Sequence, residues 1–410
     1  MKILFLSDDF PPQSFGGAGI STYDLALGVQ KAGHEVFVIT TCRNKEESGK
    51  IDYNGLTVYS VVSDYPAKWR AYRSLYNPPA LVQIDKILRD IKPDIVHANN
   101  VHHHLSYHSI KLSKRHAKTV VVTLRDAMSF SFGKLATEKY LRDFDARLSW
   151  LDQLRQARKR WNPLRNFVIR RYLACAHKRL AVSGALKKAL EQNGIRDVGV
   201  LHSGADVDTW KVNQEEKVRF RNKHKLEGKN VVLFGGRLSG AKGGGKVLEA
   251  MVEIIKEVPD AVLLVAGKID EYANAMKDEA RKCGCDEPLI FTDWINREDV
   301  KLVYAVSDVV LVPSMCFDAF PRIVLEAMAS GKPVVGTCYG GAPEIIVDGV
   351  TGHVVNPHKV EEISLKIVDL LKNPERMKKF GDAGRERVER EFNLKNQVAS
   401  LISAYQNGQS

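Results

Sequence analysis

The sequence predicts two doubly wound α/β domains in tandem, and three features carry that expectation. Short apolar runs alternate with helix-period segments along the whole chain. At 410 residues the chain is too long for one comfortable core and suits two domains of ordinary size. Its charge also divides unevenly. Residues 1–203 hold 32 Lys and Arg against 18 Asp and Glu, a net of +14, and the rest holds 29 against 31, a net of −2. All the excess positive charge therefore sits in the first half, which implies domains with different partners.

The strands read off in order. KILFLS (2–7), EVFVIT (35–40), DIVHA (94–98), TVVVTL (119–124) and RLAVS (179–183) belong to the first domain. NVVLFGG (230–236), AVLLVAG (261–267), LIFTD (289–293), DVVLVPS (308–314) and PVVGT (333–337) belong to the second. Near-continuous Val/Ile/Leu runs of this kind suit parallel strands covered on both faces by helices. Gly, Asp and Ser interrupt the periodicity in LHSGADVDTW, so the join falls near 200–210. The last helical stretch, LKNQVASLISAYQ (394–406), sets Val398, Leu401, Ile402 and Tyr405 on one face. Its own residues do not decide which domain it caps.

Composition excludes several classes. An apolar fraction of 44% fits a soluble globular protein, and no apolar run approaches the roughly 20 residues needed to span a bilayer. The opening MKILFLS stops at Asp8-Asp9, which reads as a buried strand rather than a signal peptide. The six cysteines, at 42, 175, 283, 285, 316 and 338, lack paired metal spacing and read as reduced cytosolic thiols. His102, His103 and His104 diverge in an extended loop with no acidic partner close by in sequence, so no metal is expected there.

Three segments carry chemistry, each placed where a strand gives way to a helix, the position at which ligands gather in open parallel sheets. After KILFLS comes DDFPPQSFGGAGIS, where Gly16, Gly17 and Gly19 let backbone approach a ligand before a helix begins near Ile20. It imitates a dinucleotide fingerprint only partly, since Thr22 stands where a third small residue belongs. GAKGGGK (240–246) satisfies the start of a phosphate-loop pattern, but Val247 stands where a hydroxyl must bind magnesium. What survives is a diphosphate site made of Arg237, Lys242 and glycine-exposed amides. In FDAFPRIVLEAMASGKPVV (317–335), Asp318 lies in a loop, Pro321 suits the first turn of a helix, and Glu326 lies inside it. That placement suits two ends of an elongated ligand better than a hydrolase's acid–base pair.

Taken together these segments resemble the GT-B retaining glycosyltransferases of family 4, the group 1 glycosyltransferases. FPPQSFGGAGISTYDLALGVQKAGHEVFVIT, PDIVHANNVHHHLSY and VVTLRDAMSF match its amino domain, and LAVSGALKKAL and HSGADVDTW its interdomain region. GGRLSGAKGG matches its phosphate-binding element, FDAFPRIVLEAMASGKPVVGT its E-x7-E element, and GGAPEIIVDGVTGHVVNP the glycine loop that follows. The resemblance implies two Rossmann-like domains facing across a cleft. One is an acceptor-binding domain over 1–203, completed by a crossover helix at about 392–408. The other is a nucleotide-sugar domain over 204–391. It implies that Arg237 and Lys242 neutralise the diphosphate of a UDP- or GDP-sugar and that Glu326 takes the ribose hydroxyls. Asp318 and the segment Phe320, Pro321, Arg322 and Ile323 would hold sugar and phosphates. Gly16 and Gly17 would face the diphosphate, with Asn99, His103, Arg125 and Asp126 near the sugar and acceptor.

Two residues depart from the family pattern. Asp318 is one methylene shorter than the usual Glu, a difference of about 1 Å that affects rate or donor choice. Arg125 stands where a histidine is common. The reaction implied is retaining and metal-independent, with fixed cations stabilising the diphosphate as its charge grows. Catalytic candidates are Arg237, Lys242, Asp318 and Asp126; no cofactor is implied. The acceptor, a glycan, glycolipid or small molecule, falls to the basic first domain. In residues 155–180, Pro163, Leu164, Val168 and Tyr172 recur at helical spacing among Arg165, Arg170 and Arg171. This stripe reads either as a core-facing helix or as one lying on the anionic inner face of a membrane, around an otherwise cytoplasmic protein. Nucleic acid is not expected, because aromatics are not interleaved as stacking platforms. A non-catalytic sugar-nucleotide scaffold and a phosphate-loop hydrolase are the alternatives.

Overall fold

In the computed structural model, which describes residues 1–235, 240–267 and 269–406, the chain divides into two units. One takes Met1–Ser203 together with the final helix, Leu394–Gln406; the other takes Gly204–Asn393.

The first unit is built on eight strands: β1 (Lys2–Ser7), β2 (Glu35–Cys42), β3 (Gly49–Tyr53), β4 (Leu56–Val62), β5 (Ile95–Asn100), β6 (Thr119–Leu124), β7 (Lys178–Ala181) and β8 (Val198–Val200). Their order is β3-β4-β2-β1-β5-β6-β7-β8, parallel except for the β3–β4 pair. β5 and β6 are buried along their whole length, as continuous apolar runs require. The sequence reading missed β3, β4 and β8. The β3–β4 hairpin turns on Asn54-Gly55, both with positive φ (53° and 81°), the backbone that a two-residue hairpin turn demands.

The final helix packs in this unit. Leu401 and Tyr405 are wholly buried with Leu25, Val29 and Val36, and Val398 fills the space that a Cβ on Gly28 would need. Tyr405 also reaches the sheet interior. Its hydroxyl lies 2.8 Å from His97 Nδ1 in β5, and His97 Nε2 lies 2.8 Å from Thr123 Oγ1 in β6. Burial, with Arg125 nearby, pushes the His97 pKa down to about 3. The ring is therefore neutral and held by hydroxyls on both sides.

The second unit carries β9 (Asn230–Gly235), β10 (Ala261–Ala266), β11 (Leu289–Phe291), β12 (Val309–Val312), β13 (Val334–Thr337) and β14 (Gly352–Val355). All neighbours are parallel, in the order β11-β10-β9-β12-β13-β14. This is the strand order of a doubly wound dinucleotide-type fold, with its topological switch between β9 and β12. β14 was not read from sequence. Gly352 opens it because a side chain there would strike the Val334 carbonyl oxygen, 2.1 Å from the Cβ position. Among the described residues no helix is long and apolar enough to cross a membrane.

His97 yields a pH prediction. An unfolded histidine takes up a proton below about 6.5, whereas the folded one resists until about 3. The unfolded state therefore binds more protons in that window, and stability falls as pH drops through it. The expected outcome is that wild-type melting temperature declines between pH 6.5 and 3 more steeply than that of His97→Gln, followed by circular dichroism.

Candidate functional site

In the second unit the loops that follow β9, β12 and β13 are locked to one another at the carboxyl edge of the sheet. Gly243 (φ +86°) caps the helix Gly244–Glu257 and sits against the carbonyl of Pro313; a Cβ there would stand 2.3 Å from that oxygen. Gly340 (φ +75°) sits on the backbone of Asp318, leaving 1.9 Å between a Cβ and the carbonyl oxygen. The Gly341 amide donates to the same oxygen at 2.8 Å, and the Met315 amide to the Ala241 carbonyl at 2.9 Å. Only glycine fits at either contact. The locked loops bring Lys242, at the end of the short turn Gly240–Lys242, onto the carboxylate of Asp318 as an ion pair. Both side chains remain partly open to solvent, at 30% and 20% exposed. Arg237 lies outside the described residues.

Glu326 lies in the helix Arg322–Ala329, whose entry is shaped by Pro321. The Tyr304 hydroxyl donates to Glu326 Oε2 at 2.8 Å, and Arg322 Nε donates to Oε1 at 3.2 Å. Burial raises the Tyr304 phenol pKa well above its usual range, with Glu326 adding to it. Trp210 braces Tyr304 edge-on at 5.3 Å. Phe320 is buried against Phe392, and the tip of Ile323 reaches the end of β9 at Gly235. Val247 is fully buried in the core, and Lys246 pairs with Glu249 one turn along its helix at 2.7 Å. The residues a phosphate-loop hydrolase needs for magnesium and the γ-phosphate are therefore otherwise engaged.

In the first unit the switch falls between β1 and β5, and the loops there build a polar nest. Asp8 is buried, and its two oxygens accept the amides of His103 and Leu105 at 2.7 Å each. Burial raises its pKa to about 6. His102 Nε2 stands 3.0 Å from Asp126 Oδ2, while its Nδ1 accepts from Arg70 Nη2 at 2.9 Å. Burial opposes charge on His102, but Asp126 outweighs it and the pKa rises. Burial would likewise raise Asp126, but His102 and the Met128 amide, which donates at 2.8 Å, hold it below the usual range. Asn99 donates to Thr22 at 2.7 Å and accepts Arg125 Nε at 3.0 Å; Arg125 also donates to Ser203 at 3.2 Å. His103 turns its ring onto Tyr65, and His104 accepts a bond from Arg43 and lies 2.8 Å from Ser63.

Several expectations change here. The three histidines do not all diverge: the rings of His103 and His104 lie 4.0 Å apart and both pack on Tyr65, while His102 turns to Asp126. The reading that no acidic partner lies near them is also overturned, because the fold delivers Asp8 and Asp126 from other loops. Gly16 and Gly17 stand at the start of the helix Gly17–Lys31, earlier than Ile20, and the glycine under steric demand is Gly19, against the carbonyl of Asp9. The basic segment is not one helix but two, Trp150–Ala157 and Arg165–Leu173, joined through a basic turn. Its buried face is Arg165, Ile169 and Leu173, not the stripe beginning at Pro163 and Leu164. Arg165 turns inward because the Met128 carbonyl accepts its guanidinium and the Phe132 ring lies under it at 4.7 Å. Leu164 and Phe167 point to solvent; Trp69, Tyr72 and Trp150 are also among the exposed apolar residues of this unit. Arg70 and Tyr304 were not named from sequence; His102 was weighed only as a metal ligand, and Asp8 only as the end of the first strand. A histidine run after a buried strand was the one available signal.

Two family models match the chain: Glycosyltransferase Family 4 over residues 15–209 and Glycosyl transferases group 1 over residues 216–387. The chain is 32% identical over 191 residues to a GDP-mannose-dependent α-(1-6)-phosphatidylinositol monomannoside mannosyltransferase of Mycolicibacterium smegmatis, covering 45% of this chain and 50% of that one. It is 28% identical over 370 residues to an uncharacterized glycosyltransferase of Methanocaldococcus jannaschii, covering 89% and 87%. Against several such curated relatives the chain spans between 50% and 58% of their length. Its fold resembles Anabaena Alr3699/HepE, solved in complex with UDP and glucose, with a TM-score of 0.74, 19% identity and coverage of 99% and 100%.

The glycine locks give a stability test. Gly340→Ala must force positive φ on alanine and push Asp318 aside, which costs at least about 2 kcal/mol and lowers the melting temperature by about 5 °C. Gly245→Ala, in a helix with open space around it, is expected to hold or raise that temperature.

Proposed function

The chain belongs to the group 1 glycosyltransferases, and on that premise we propose that it transfers a sugar, with retention and without metal, from a nucleotide-diphosphate sugar held by its second unit to a hydroxyl of an acceptor held by its first. The observation that carries this reading is the Lys242–Asp318 pair at the switch point between β9 and β12. A cation and a carboxylate side by side, at the strand ends where a Rossmann-type sheet binds its ligand, match the two ends of a sugar diphosphate.

Breaking the bond from sugar to phosphate leaves a diphosphate with an extra negative charge and an oxocarbenium-like sugar. Lys242, with Arg237 as the second cation, and the amides opening the helix Arg322–Ala329 would stabilise the first as its charge appears. Asp318, released from Lys242 by the incoming phosphate, would hold sugar hydroxyls. Glu326 would take the ribose, its carboxylate kept in place by Tyr304 and Arg322. The departing phosphate would take the acceptor's proton. Asp126 would orient the acceptor, since each of its oxygens keeps a lone pair beyond the bonds to His102 and Met128. The relatives support either UDP or GDP as carrier: one is named for GDP-mannose and one was solved with UDP. The exposed apolar side chains Leu164, Phe167 and Trp69, on a strongly basic first unit, support an acceptor met at an anionic membrane.

The test is slow donor hydrolysis with a panel of UDP- and GDP-sugars. The expected outcome is release of nucleotide that persists in chelator and falls at least about 100-fold in Lys242→Ala. Unchanged hydrolysis in that variant, or dependence on added magnesium, would overturn the reading. Tight binding with no turnover on any acceptor would favour a sugar-nucleotide scaffold instead.

A further inference from the structure

We propose that Arg70 is a docking point for a phosphate group carried by the acceptor. This rests on the reading of the first unit as the acceptor-binding one, and it specifies the chemistry of that acceptor.

Arg70 opens the short helix Arg70–Arg73 and is half-buried. Among the described residues it makes no ion pair with a carboxylate. Its one side-chain hydrogen bond among the described residues goes from Nη2 to His102 Nδ1 at 2.9 Å, and the opposite nitrogen of that ring is committed to Asp126 at 3.0 Å. The carboxylate of Asp126 thus lies one imidazole away, and most of a five-donor guanidinium is left for something else. A half-buried cation without a direct anion is costly, and a phosphate, which accepts a guanidinium in bidentate fashion, removes that cost.

The surroundings favour an anion as well. Arg43 repeats the arrangement, bonded to His104, with the exposed Asp64 at 3.5 Å as its carboxylate partner among the described residues. Arg43, Arg70 and Arg73 all bear electrostatically on the Tyr65 hydroxyl. The neighbouring acids each have partners of their own. Both oxygens of Asp8 are taken by backbone amides, and Asp126 holds His102 and the Met128 amide. Arg70 reaches the carboxyl ends of β5 and β6 through His102, which lines, with Asn99, Tyr107, Arg125 and Asp126, a cavity of about 20 Å³, room for a single water. A phosphate on Arg70 would sit three hydrogen bonds from Asp126, through Arg70 and His102, and Asp126 orients the acceptor in the reading above.

A phosphate can come from a soluble sugar phosphate or from a phospholipid headgroup. The flanking Trp69 and Tyr72 are 51% and 47% exposed, so either can approach. The experiment reads binding rather than turnover, so that its failure is distinct from failure of the transferase reading. The 410-residue chain is first saturated with whichever of UDP and GDP binds, to occupy the second unit. It is then titrated calorimetrically with inorganic phosphate, glucose 6-phosphate and glucose. In parallel it is sedimented with phosphatidylcholine vesicles with and without phosphatidylinositol. The expected result is binding of the phosphorylated probes but not glucose, weakened at least about ten-fold in Arg70→Gln. Arg70→Lys is expected to recover part of it. Vesicle binding that needs phosphatidylinositol and is lost in Arg70→Gln, with glucose 6-phosphate inert, assigns the phosphate to a lipid. Phosphate binding equal in wild type and Arg70→Gln, or no binding of any phosphate probe or vesicle, overturns the proposal.

Discussion

The second unit is organised around one ion pair, Lys242 on Asp318, formed where the strand order reverses between β9 and β12. Reversal opens a crevice at the carboxyl ends of the strands, and the pair stands at its edge. Neither residue is placed by its own helix or strand. Both sit in loops whose paths are fixed by backbone contacts that tolerate no side chain, Gly243 on Pro313 and Gly340 on Asp318. Steric constraint at two glycines therefore becomes electrostatic organisation at a site. The pair is partly solvated and adds little to stability by itself, so its worth lies in what it can exchange for. An ammonium that gives up a carboxylate for a diphosphate loses no charge partner.

The first unit uses the same topology with different chemistry. Its strand ends hold a nest of histidines, arginines and two aspartates, each oriented by the next, so that Arg70, His102 and Asp126 form one hydrogen-bonded line. Burial sets the protonation state of several members. His97, deep in the sheet, stays neutral between Thr123 and Tyr405. Tyr405 comes from the last helix of the chain, so the polar interior of this unit depends on the chain's far end.

Much of the fold was legible because parallel strands covered on both faces write themselves as unbroken Val/Ile/Leu runs. What escaped was what lacks that signature. The β3–β4 hairpin lies at the sheet edge with partly exposed residues, and β14 is four residues opened by a glycine. Lys242, Asp318 and Glu326 were legible because each follows a strand and opens or enters a helix. The partners of the polar nest were not, since Asp8, His102 and Asp126 meet through three loops distant in sequence. Helical periodicity misjudged residues 163–172 because Arg165, polar by type, found a carbonyl and an aromatic ring inside and turned inward.

Whether the pair at the switch point is a diphosphate site can be tested directly. UDP and GDP are titrated by calorimetry into the wild-type chain, Lys242→Ala, Asp318→Asn and the double variant. The account predicts that Lys242→Ala weakens the tighter nucleotide at least about ten-fold, that Asp318→Asn, which frees the ammonium, does not weaken it, and that the double variant follows Lys242→Ala. Equal affinity in wild type and Lys242→Ala would contradict it.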